Sequence, residues 1–410
     1  MLSQVKTIGN ARPLIRLNLP MPKLIRVTTV PLSLKYLVPG QARYMQEQGF
    51  EVIVISSYGP EREEIMQKEG CRHHIVPMTR QITPLSDLRS LWLLYRFFRK
   101  EKPDIVHSHT PKAGLLAMMA ARMAGVKIRI HTIAGLRFVT TTGSFRRMLI
   151  AMEKLTAQSA THVWPNSFSL LDYIKKIKLV SSKKLGLIGS GSSNGINLER
   201  YAVTALKEDK LNEAKRRVGY DPANIYFLAV GRIVHDKGID ELLKAFVQVH
   251  AANDRTRLIL LGAFEDEIDP IRDESKAILK THPAIIHVGW SEEVEYFMHI
   301  SFALIHASYR EGFPNVLLQA GAVGCPVICS RIDGNVDMVE HEKTGLLFEV
   351  RNEKELQEKM ELALANPALM KEYADNLHSK VVSQFDQRLI WQQLHQRYRE
   401  LLGISSTNDN

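Results

Sequence analysis

Short runs of apolar, largely β-branched residues alternate with longer amphipathic segments along most of the chain. The run 24–30 is rich in Leu, Ile, Val and Thr, which is typical of a strand buried on both faces of a sheet. The segment 86–100 instead places apolar residues three and four positions apart, as a helix requires. Strands that alternate with such helices predict the α/β class, with parallel sheets covered by helices on both faces.

The predicted elements fall into two similar series. The first series is strand 24–30, helix 40–48, strand 51–56, helix 86–100, strand 105–107, helix 113–124, strand 127–132, helix 146–158 and strand 161–164. The second series is strand 225–230, helix 238–249, strand 257–261, helix 269–279, strand 285–288, helix 292–299, strand 302–306, helix 315–323 and strand 326–329, followed by helices 353–365 and 386–402. Each series is the pattern of a Rossmann-like domain.

A stretch of Gly, Ser and Asn residues, 188–196, separates the two series. Such a shift in composition marks a domain boundary, and 410 residues exceed one ordinary core. We therefore predict two Rossmann-like domains that are joined by a flexible hinge and face each other across a cleft. The predicted divisions are a disordered extension 1–22, an N-terminal domain 23–195, a C-terminal domain 196–385, a helix 386–402 that packs back across both domains, and a polar tail 403–410.

The formal net charge of +10 predicts an anionic partner. Nucleic acid, an anionic membrane surface and a polyanionic small substrate all satisfy this expectation. Three cysteines, Cys71, Cys325 and Cys329, do not form a disulfide framework and fit a reducing cytosol. Because no apolar run reaches roughly 18 residues, we expect that the chain does not cross a bilayer.

The turn after the first predicted strand argues against a dehydrogenase. Residues 31–35 read Pro-Leu-Ser-Leu-Lys, whereas a dinucleotide pyrophosphate needs glycines there for close backbone approach. The sequence Gly189-Ser190-Gly191 lies in the linker and has no helix after it, so it matches that fingerprint only weakly.

The segment 309–320 has the pattern of a strand end, a tight Gly-Phe-Pro loop and a helix start. We expect Asn315 to cap this helix, whose first backbone N–H groups then point at whatever lies in front of them. An anion such as a diphosphate suits that geometry. Glu311 and Gln319 are eight positions apart and can face the same ligand. An ordinary surface turn with a solvated glutamate is the alternative.

Two cations flank the turn after the first strand of the second domain. Arg232 follows the strand and Lys237 precedes the helix that begins at Gly238. Ligands bind at this edge of a doubly wound sheet, and two cations beside a helix N-terminus would hold a diphosphate without a metal. Alone, both residues would be interpreted as surface charges. A second helix N-terminus at Asn315 in the same domain favours the phosphate site.

Five motifs occur in a recognisable order. They are VHSHTPKAG at 106–114, IHTIAG at 130–135, GSGSSNGIN at 189–197, VGRIVHDKG at 230–238 and YREGFPNVLLQA at 309–320. Their order and spacing resemble the retaining GT-B glycosyltransferases of family 4, in particular bacterial enzymes of capsular, O-antigen and exopolysaccharide assembly. The resemblance extends from about residue 23 to 402.

This resemblance implies an enzyme that is a retaining, metal-independent hexosyl- or N-acetylhexosaminyl-transferase. The expected donor is a nucleotide-diphosphate sugar, with UDP as the expected nucleotide. The expected acceptor is a hydroxyl of a lipid-diphosphate-linked saccharide. The expected place is the cytoplasmic, inner face of the plasma membrane, with neither a cofactor nor a nucleic-acid partner. Closure of the two domains would keep water from hydrolysing the donor.

The resemblance also implies roles for single residues. Glu311 and His131, the latter from the first domain, would contact the donor sugar as catalytic residues. The donor diphosphate would be bound by Gly231, Arg232, Lys237, Gly312, Phe313, Pro314, Asn315 and Val316. Gln319 would hold the ribose hydroxyls. Since the family pattern has glutamate at this position, the substitution leaves Glu311 as the only acidic residue of the motif.

The acceptor side is expected in the first domain. The candidates are Ser33, Gln41, Arg80, His109 and Lys112. The pair His107 and His109 invites a metal-site interpretation, but we expect the two side chains to point to opposite faces of their strand. No metal site is therefore predicted.

A basic and aromatic helix over 88–100 predicts contact with an anionic membrane, and the cations of 144–154 and 175–184 add to it. The competing interpretation is that Leu91, Leu94 and Phe98 form an ordinary core face. Two other functions remain open at this point. One is a GT-B nucleotide-sugar epimerase or hydrolase, which has no acceptor, and the other is a basic nucleic-acid-binding protein.

Overall fold

The computed structural model describes residues 21–267 and 269–404, which form two parallel six-stranded sheets covered by helices. The predicted α/β architecture of two Rossmann-like domains is confirmed. Most of the predicted N-terminal extension and C-terminal tail lies outside the described residues.

The first sheet has the strand order β3-β2-β1-β4-β5-β6, with every neighbouring pair parallel. Its strands are β1 Lys23–Val27, β2 Glu51–Ser56, β3 Arg72–Ile75, β4 Ile105–Ser108, β5 Ile128–Ile133 and β6 His162–Pro165. Its helices are α1 Pro31–Leu37, α2 Gln41–Glu47, α3 Arg62–Glu69, α4 Pro84–Glu101, α5 Pro111–Met123, α6 Gly143–Ser159 and α7 Phe168–Lys176.

The second sheet repeats this order as β9-β8-β7-β10-β11-β12. Its strands are β7 Ile225–Val230, β8 Thr256–Leu261, β9 Ile285–Gly289, β10 Ala303–His306, β11 Val327–Ser330 and β12 Leu346–Phe348. The remaining helices are α8 Leu198–Tyr201, α9 Glu208–Val218, α10 Ile239–Ala252, α11 Asp273–Thr281, α12 Val294–His299, α13 Asn315–Val323, α14 Asn335–Met338, α15 Glu353–Ala365, α16 Pro367–Gln384 and α17 Gln387–Leu401.

Burial on both faces explains why the apolar runs form strands. Consecutive residues of β1, Leu24 and Ile25, point to opposite faces of the sheet, and both are fully buried. The same holds for Leu304 and Ile305 of β10. Each such side chain contributes roughly 1.5–3 kcal/mol of burial free energy, so helices on both faces stabilise the strand.

Several elements were not predicted or were predicted wrongly. The turn expected at 31–35 is helix α1, with Pro31 at its first position and Leu34 buried beneath it. Strand β3 was missed because its sequence, Arg-His-His-Ile, is not an apolar run. Helices α7, α9 and α16 and strand β12 were also missed.

The strand order changes direction between β1 and β4 and again between β7 and β10. Connections leave these neighbouring strands toward opposite sides, which opens a crevice outside the carboxyl ends of the strands. In the first domain the residues after β4 and β5 lie at this edge, and in the second domain the residues after β7 and β10 do.

The linker that was expected to be flexible is anchored by hydrogen bonds. Asn194 is buried, and its Oδ1 accepts from Gln41 Nε2 at 2.8 Å and from Trp391 Nε1 at 2.8 Å. Ser192 N–H donates to the carbonyl of Asn166 at 2.7 Å. The small residues therefore allow close packing of the linker, which is a different role from the flexibility inferred from composition.

Helix α17 starts in the second domain and ends against the first. Its first residue, Gln387, donates its N–H to the carbonyl of Ile196 at 3.0 Å. Further along, Leu394 and Tyr398 are buried in the same apolar cluster as Leu24 of β1. The helix thus connects the linker to the sheet of the first domain.

Candidate active site

A cleft of about 1190 Å³ lies between the two domains at the carboxyl ends of their strands. From the first domain, His131 at the end of β5 lines it, together with Arg80 and His109. From the second domain, Arg232 after β7 and Arg310 after β10 line the opposite wall. The cleft therefore collects side chains from the edges that the two sheet topologies turn toward each other.

The loop after β10 touches the loop after β5 across this cleft. A Cβ atom added at Gly312 would lie 2.3 Å from the carbonyl carbon of Ala134 and 2.6 Å from the nitrogen of Gly135. No side chain fits between two backbones at such distances. Gly312 is therefore required for the close approach of the domains at this point.

Glu311, beside this contact, forms an ion pair with Lys237. Lys237 belongs to the short turn that leads into α10, and His306 at the end of β10 places its Nε2 3.4 Å from Glu311 Oε1. Burial raises the pKa of Glu311, but the charge of Lys237 and the contact with His306 outweigh it and hold this pKa well below its usual range. Glu311 is therefore an ionised carboxylate at neutral pH.

The helix behind Glu311 begins at its predicted capping residue, one residue earlier than expected. Helix α13 starts at Asn315, so the capping position belongs to Pro314, whose side chain accepts no hydrogen bond. The prediction that Asn315 caps the helix is wrong. The first hydrogen bonds of α13 run from the N–H groups of Leu317 and Leu318 to the carbonyl of Pro314. The two N–H groups before them, those of Asn315 and Val316, have no partner inside the helix and can bind an anion in front of it.

Arg232 is engaged by an acidic residue that the sequence analysis missed. Its Nη1 lies 2.5 Å from Glu265 Oε2, and Arg80 of the first domain approaches Glu265 Oε1 at 3.8 Å. Glu265 therefore stands between two cations from opposite walls of the cleft. Its position, after β8, has no fixed spacing from Arg232 that a sequence pattern could reveal.

His131 is buried at the end of β5 and fixed by two neighbours. Its Nδ1 lies 2.9 Å from Ser108 Oγ, and a Cβ atom added at Gly114 would lie 2.3 Å from its Cε1. Gly114 thus leaves the space that the imidazole occupies. Burial lowers the pKa of His131 to about 4, so the ring is neutral at pH 7.

Gln319 pairs with a tyrosine from outside the motif. Its Nε2 donates to the hydroxyl of Tyr201 at 2.8 Å, and Tyr201 is buried at the end of α8. The pair lies one turn into α13. Since an amide donates and accepts, Gln319 keeps an oxygen that can accept from a hydroxyl group.

The predicted acceptor-side residues are not all in the cleft. Arg80 and His109 line it. Lys112 instead binds Asp87 Oδ1 at 2.7 Å, and Gln41 binds the linker. Ser33 lies on α1, and the residues that bring α1 to the cleft are its neighbours Leu32, Lys35 and Tyr36.

The expectation that His107 and His109 point to opposite faces is wrong. Their ring centroids are 4.2 Å apart, because residues two positions apart on an extended chain share a face. Both rings are nevertheless committed to other partners. His107 Nε2 lies 2.7 Å from Thr132 Oγ1, and Arg26 Nη2 lies 2.8 Å from His109 Nε2.

Further cleft residues carried no sequence signal. Lys35 Nζ and the Tyr36 hydroxyl both lie 2.7 Å from Glu292 Oε1, which connects the two domains at one end of the cleft. Trp290 packs edge-on against Tyr36 at 5.7 Å. Glu153 of α6 also lines the cleft, and burial raises its pKa to about 7.

Acid is expected to destabilise the protein through its buried histidines. In the unfolded chain a histidine binds a proton near pH 6.5, whereas folded His131 resists protonation down to about 4. The free energy of unfolding therefore falls as the pH drops from about 6.5 to about 4, by about 1–3 kcal/mol from His131 alone. Melting temperatures measured from pH 8 to pH 4.5 check this, and the His131→Gln variant should show a shallower slope. Equal pH dependence of the melting temperature in the wild type and in His131→Gln would contradict the lowered pKa of His131.

Two family models match the chain, one for each half. A model of group 1 glycosyl transferases matches residues 212–380, and a model of the glycosyl transferase 4-like domain matches residues 37–189. The two matches correspond to the second and the first sheet of the structure.

Curated relatives and solved structures are similar over nearly the whole chain. The Staphylococcus aureus capsular polysaccharide biosynthesis glycosyltransferase CapM is 33% identical over 93% of this chain and 98% of its own. The Escherichia coli UDP-Gal:alpha-D-GlcNAc-diphosphoundecaprenol alpha-1,3-galactosyltransferase is 27% identical over 81% of this chain and 83% of its own. Anabaena HepE, crystallised in complex with UDP, is 16% identical, covers 93% of this chain and 100% of its own, and superposes with a TM-score of 0.75. This structural likeness confirms the GT-B arrangement of the two domains.

Proposed function

The chain belongs to the group 1 glycosyltransferases, and from this premise we propose that it transfers a sugar from a UDP-sugar to a lipid-diphosphate-linked saccharide with retention of anomeric configuration. The curated name of one relative places that protein in capsular polysaccharide synthesis, and the name of another gives it a diphosphoundecaprenol-linked acceptor. The sugar transferred would be a hexose or an N-acetylhexosamine.

The observation that carries the proposal is the charge arrangement in front of α13. Lys237 and Arg232 bring two cations to the same edge of the second sheet, and α13 begins shortly after Glu311, the glutamate that pairs with Lys237. A diphosphate matches this arrangement, because fixed positive charges and a helix N-terminus both favour an anion. We assign its binding to Gly231, Arg232, Lys237 and the segment 312–316.

The position of the diphosphate would also determine where the ribose and the sugar of the donor bind. Gln319, one turn further along α13, would bind the ribose hydroxyls, with Tyr201 holding its amide in place. Glu311, ionised and beside the cleft, would accept hydrogen bonds from hydroxyls of the donor sugar. His131, neutral and on the facing wall, would donate one. Both would act as catalytic residues by contact with the sugar.

In the proposed reaction, the bond between the anomeric carbon and the diphosphate oxygen breaks while a bond to the acceptor hydroxyl forms on the same face. The proton of the acceptor hydroxyl passes to the departing phosphate oxygen. Negative charge that gathers on the diphosphate is stabilised by Lys237, Arg232 and the start of α13. Glu311 is unsuited to act as an acid, because its pKa lies well below its usual range. These cations would offset the diphosphate charge without a metal.

The acceptor would enter from the first domain. Arg80 and His109 line the cleft there and remain acceptor-side candidates. Lys112 and Gln41 make internal hydrogen bonds, so we infer that they support the local structure behind the cleft. We add Glu153 to the acceptor-side candidates, because it lines the cleft and its carboxyl group can accept a hydrogen bond from a sugar hydroxyl.

A surface of the first domain has the composition of a membrane-docking face. Helix α4 buries Leu94 and Phe98 on one side and exposes Leu85, Leu88 and Trp92 on the other, with exposed fractions of 85%, 62% and 52%. The core interpretation therefore describes one face of this helix, and the exposed opposite face is the one that the membrane interpretation concerns. Basic residues accompany the exposed face, namely Arg89, Arg96, Arg99 and Lys100. Within the described part of the chain, no helix is long and apolar enough to span a membrane.

We propose that this face rests on anionic lipid at the inner surface of the plasma membrane, where exposed apolar and basic residues together favour binding. The variant Leu88→Ser/Trp92→Ser should bind anionic vesicles about tenfold more weakly, because it loses much of the exposed apolar area. Co-sedimentation with phosphatidylglycerol vesicles measures this. Leu369→Ser/Val382→Ser, which changes exposed apolar residues of the second domain, should bind like the wild type. Equal vesicle binding by the two variants would contradict the proposal that the exposed face of α4 contacts the membrane.

Turnover with and without acceptor tests the proposed activity. Purified protein is incubated with a panel of UDP-sugars, in the presence or absence of an undecaprenyl-diphosphate-linked sugar, and free UDP and lipid product are measured. We expect acceptor-dependent release of UDP, and nuclear magnetic resonance of the product should show the anomeric configuration of the donor. Turnover that is independent of acceptor would favour the epimerase or hydrolase alternative.

A further inference from the structure

A buried arginine beneath the cleft has only part of its hydrogen bonds satisfied. Arg26 lies in the centre of the first sheet, on β1, and is only 1% exposed. Its Nη2 bonds to His109 Nε2 at 2.8 Å. Its Nε and Nη1 have no hydrogen-bond partner among the described residues. A buried guanidinium normally has an anionic partner, because an unpaired buried charge costs several kcal/mol.

Glu69, the carboxylate that acts electrostatically on Arg26, forms its hydrogen bonds with other groups. Glu69 influences the arginine electrostatically, but its oxygens accept from the backbone N–H groups of Gly40 at 2.6 Å, Ala42 at 3.0 Å and Arg43 at 3.1 Å. It thus caps the start of α2. The arginine's free N–H groups are left without an acceptor from Glu69.

The protonation of His109 adds a third donor. Arginine only donates hydrogen bonds, so His109 Nε2 must accept from Arg26, and the proton of the neutral ring then resides on Nδ1. This Nδ1 also has no partner within the described chain. Burial and the charge of Arg26 keep the pKa of His109 well below its ordinary value, which maintains the neutral form.

A small cavity adjoins these donors. Its volume is about 20 Å³. It is lined by Arg26, His107, His109, Asn166, Ser192 and Trp164, and α17 contributes Ile390 and Leu394. A volume of this size admits one species as large as a water molecule, and polyatomic anions such as sulfate exceed it. Asn166 Oδ1 is also unpartnered, and rotation of this amide would present its NH₂ group instead.

We propose that this cavity is a binding site for a small monovalent anion of the size of chloride. Three unpartnered N–H donors and a positive charge belong to Arg26 and His109, which both line this cavity, and no carboxylate is among its described lining residues. A water molecule would leave the charge uncompensated, since it brings two hydrogens as well as two lone pairs. Because His109 lines both this cavity and the cleft, the anion would fix the floor of the acceptor half from below.

Halide-dependent stability is the first test. The melting temperature of the wild type is compared in sodium chloride and in sodium gluconate at equal ionic strength, since gluconate is too large for the cavity. Chloride should raise it by on the order of 2 °C, with a dependence that saturates. In Arg26→Met the difference should vanish. Arg43→Met, which removes an exposed arginine from the neighbouring helix, should respond like the wild type.

Crystals grown in moderate concentrations of bromide give the direct test and do not depend on whether Arg26→Met folds. We expect an anomalous bromide peak within hydrogen-bond distance of Arg26 and His109 Nδ1. A cavity with no anomalous peak and equal melting temperatures in both salts would overturn the proposal. A peak that requires molar bromide, without a halide-dependent melting temperature, would mark an adventitious ion only and would also overturn it.

Discussion

Lys237→Ala is expected to lower kcat roughly 100- to 1000-fold, even at saturating donor and acceptor. The ammonium group of Lys237 is the cation that the structure pairs with Glu311, shortly before α13 begins. In the proposed reaction, negative charge develops on the departing diphosphate, so this cation stabilises the transition state more than the ground state. Steady-state rates with a defined lipid-diphosphate acceptor measure the loss.

This substitution also leaves the carboxylate of Glu311 without its ion pair, which can destabilise the fold. The double variant Lys237→Ala/Glu311→Gln removes that charge, so its melting temperature should lie closer to the wild type while its activity stays low. Lys244→Ala is the matched control, because Lys244 also pairs with a glutamate, Glu274, but does so near the middle of α10 and not in the turn that precedes it. Wild-type kcat in Lys237→Ala would eliminate the diphosphate assignment.

Gly312→Ala is expected to lower kcat about 100-fold by holding the two domains apart. The added methyl group would meet the backbone of Ala134 and Gly135 at 2.3 Å and 2.6 Å, and neither backbone can move aside as a flexible side chain would. A shift of about 1 Å at reacting atoms costs on the order of 100-fold in rate. Both domain cores remain intact, so the melting temperature should change little.

Rates and small-angle X-ray scattering together measure this effect. The variant should show a larger radius of gyration than the wild type in the presence of UDP. Ala134→Gly, on the facing loop, is the control, since it changes a side chain there, leaves the backbone atoms of the contact in place and should keep normal activity. A closed, fully active Gly312→Ala protein would mean that the close approach of these loops is not needed for turnover.

The cations of the cleft already have acidic neighbours before any donor binds. Glu265 holds Arg232 and reaches toward Arg80, and Asp236 binds Arg310 at 2.8 Å. These pairs keep the long side chains ordered, so a diphosphate would exchange partners with a prearranged guanidinium. Both pairs are partly exposed, so we attach little stability to them. Their contribution is to hold the guanidinium groups in position.

The fold was largely predictable because its strands are short apolar runs buried on both faces. Strand β3 escaped detection because it lies at the edge of its sheet and consists of Arg72, His73, His74 and Ile75. The error over Asn315 has a similar local origin. A Pro-Asn pair leaves open which residue is the last non-helical one, and the structure assigns that position to Pro314.

The candidate site could be proposed from the sequence only where its residues share one turn. Arg232 and Lys237 flank a single loop, and Glu311 and Gln319 belong to one loop and the helix after it, so spacing alone suggested each pair. Glu265 and Tyr201 reach the same region from other elements, and such contacts depend on tertiary packing that spacing does not encode. Likewise, nothing in the pattern around Arg26 shows that the arginine is fully buried, because a single arginine in a strand is usually placed at an exposed end.

A crystal structure of the protein bound to UDP tests the proposed donor site most directly. We predict that the diphosphate lies within hydrogen-bond distance of Lys237 Nζ, the guanidinium of Arg232 and the first N–H groups of α13, with the ribose at Gln319. UDP bound with its diphosphate away from Lys237 and α13, or bound outside the cleft, would contradict the proposed donor site.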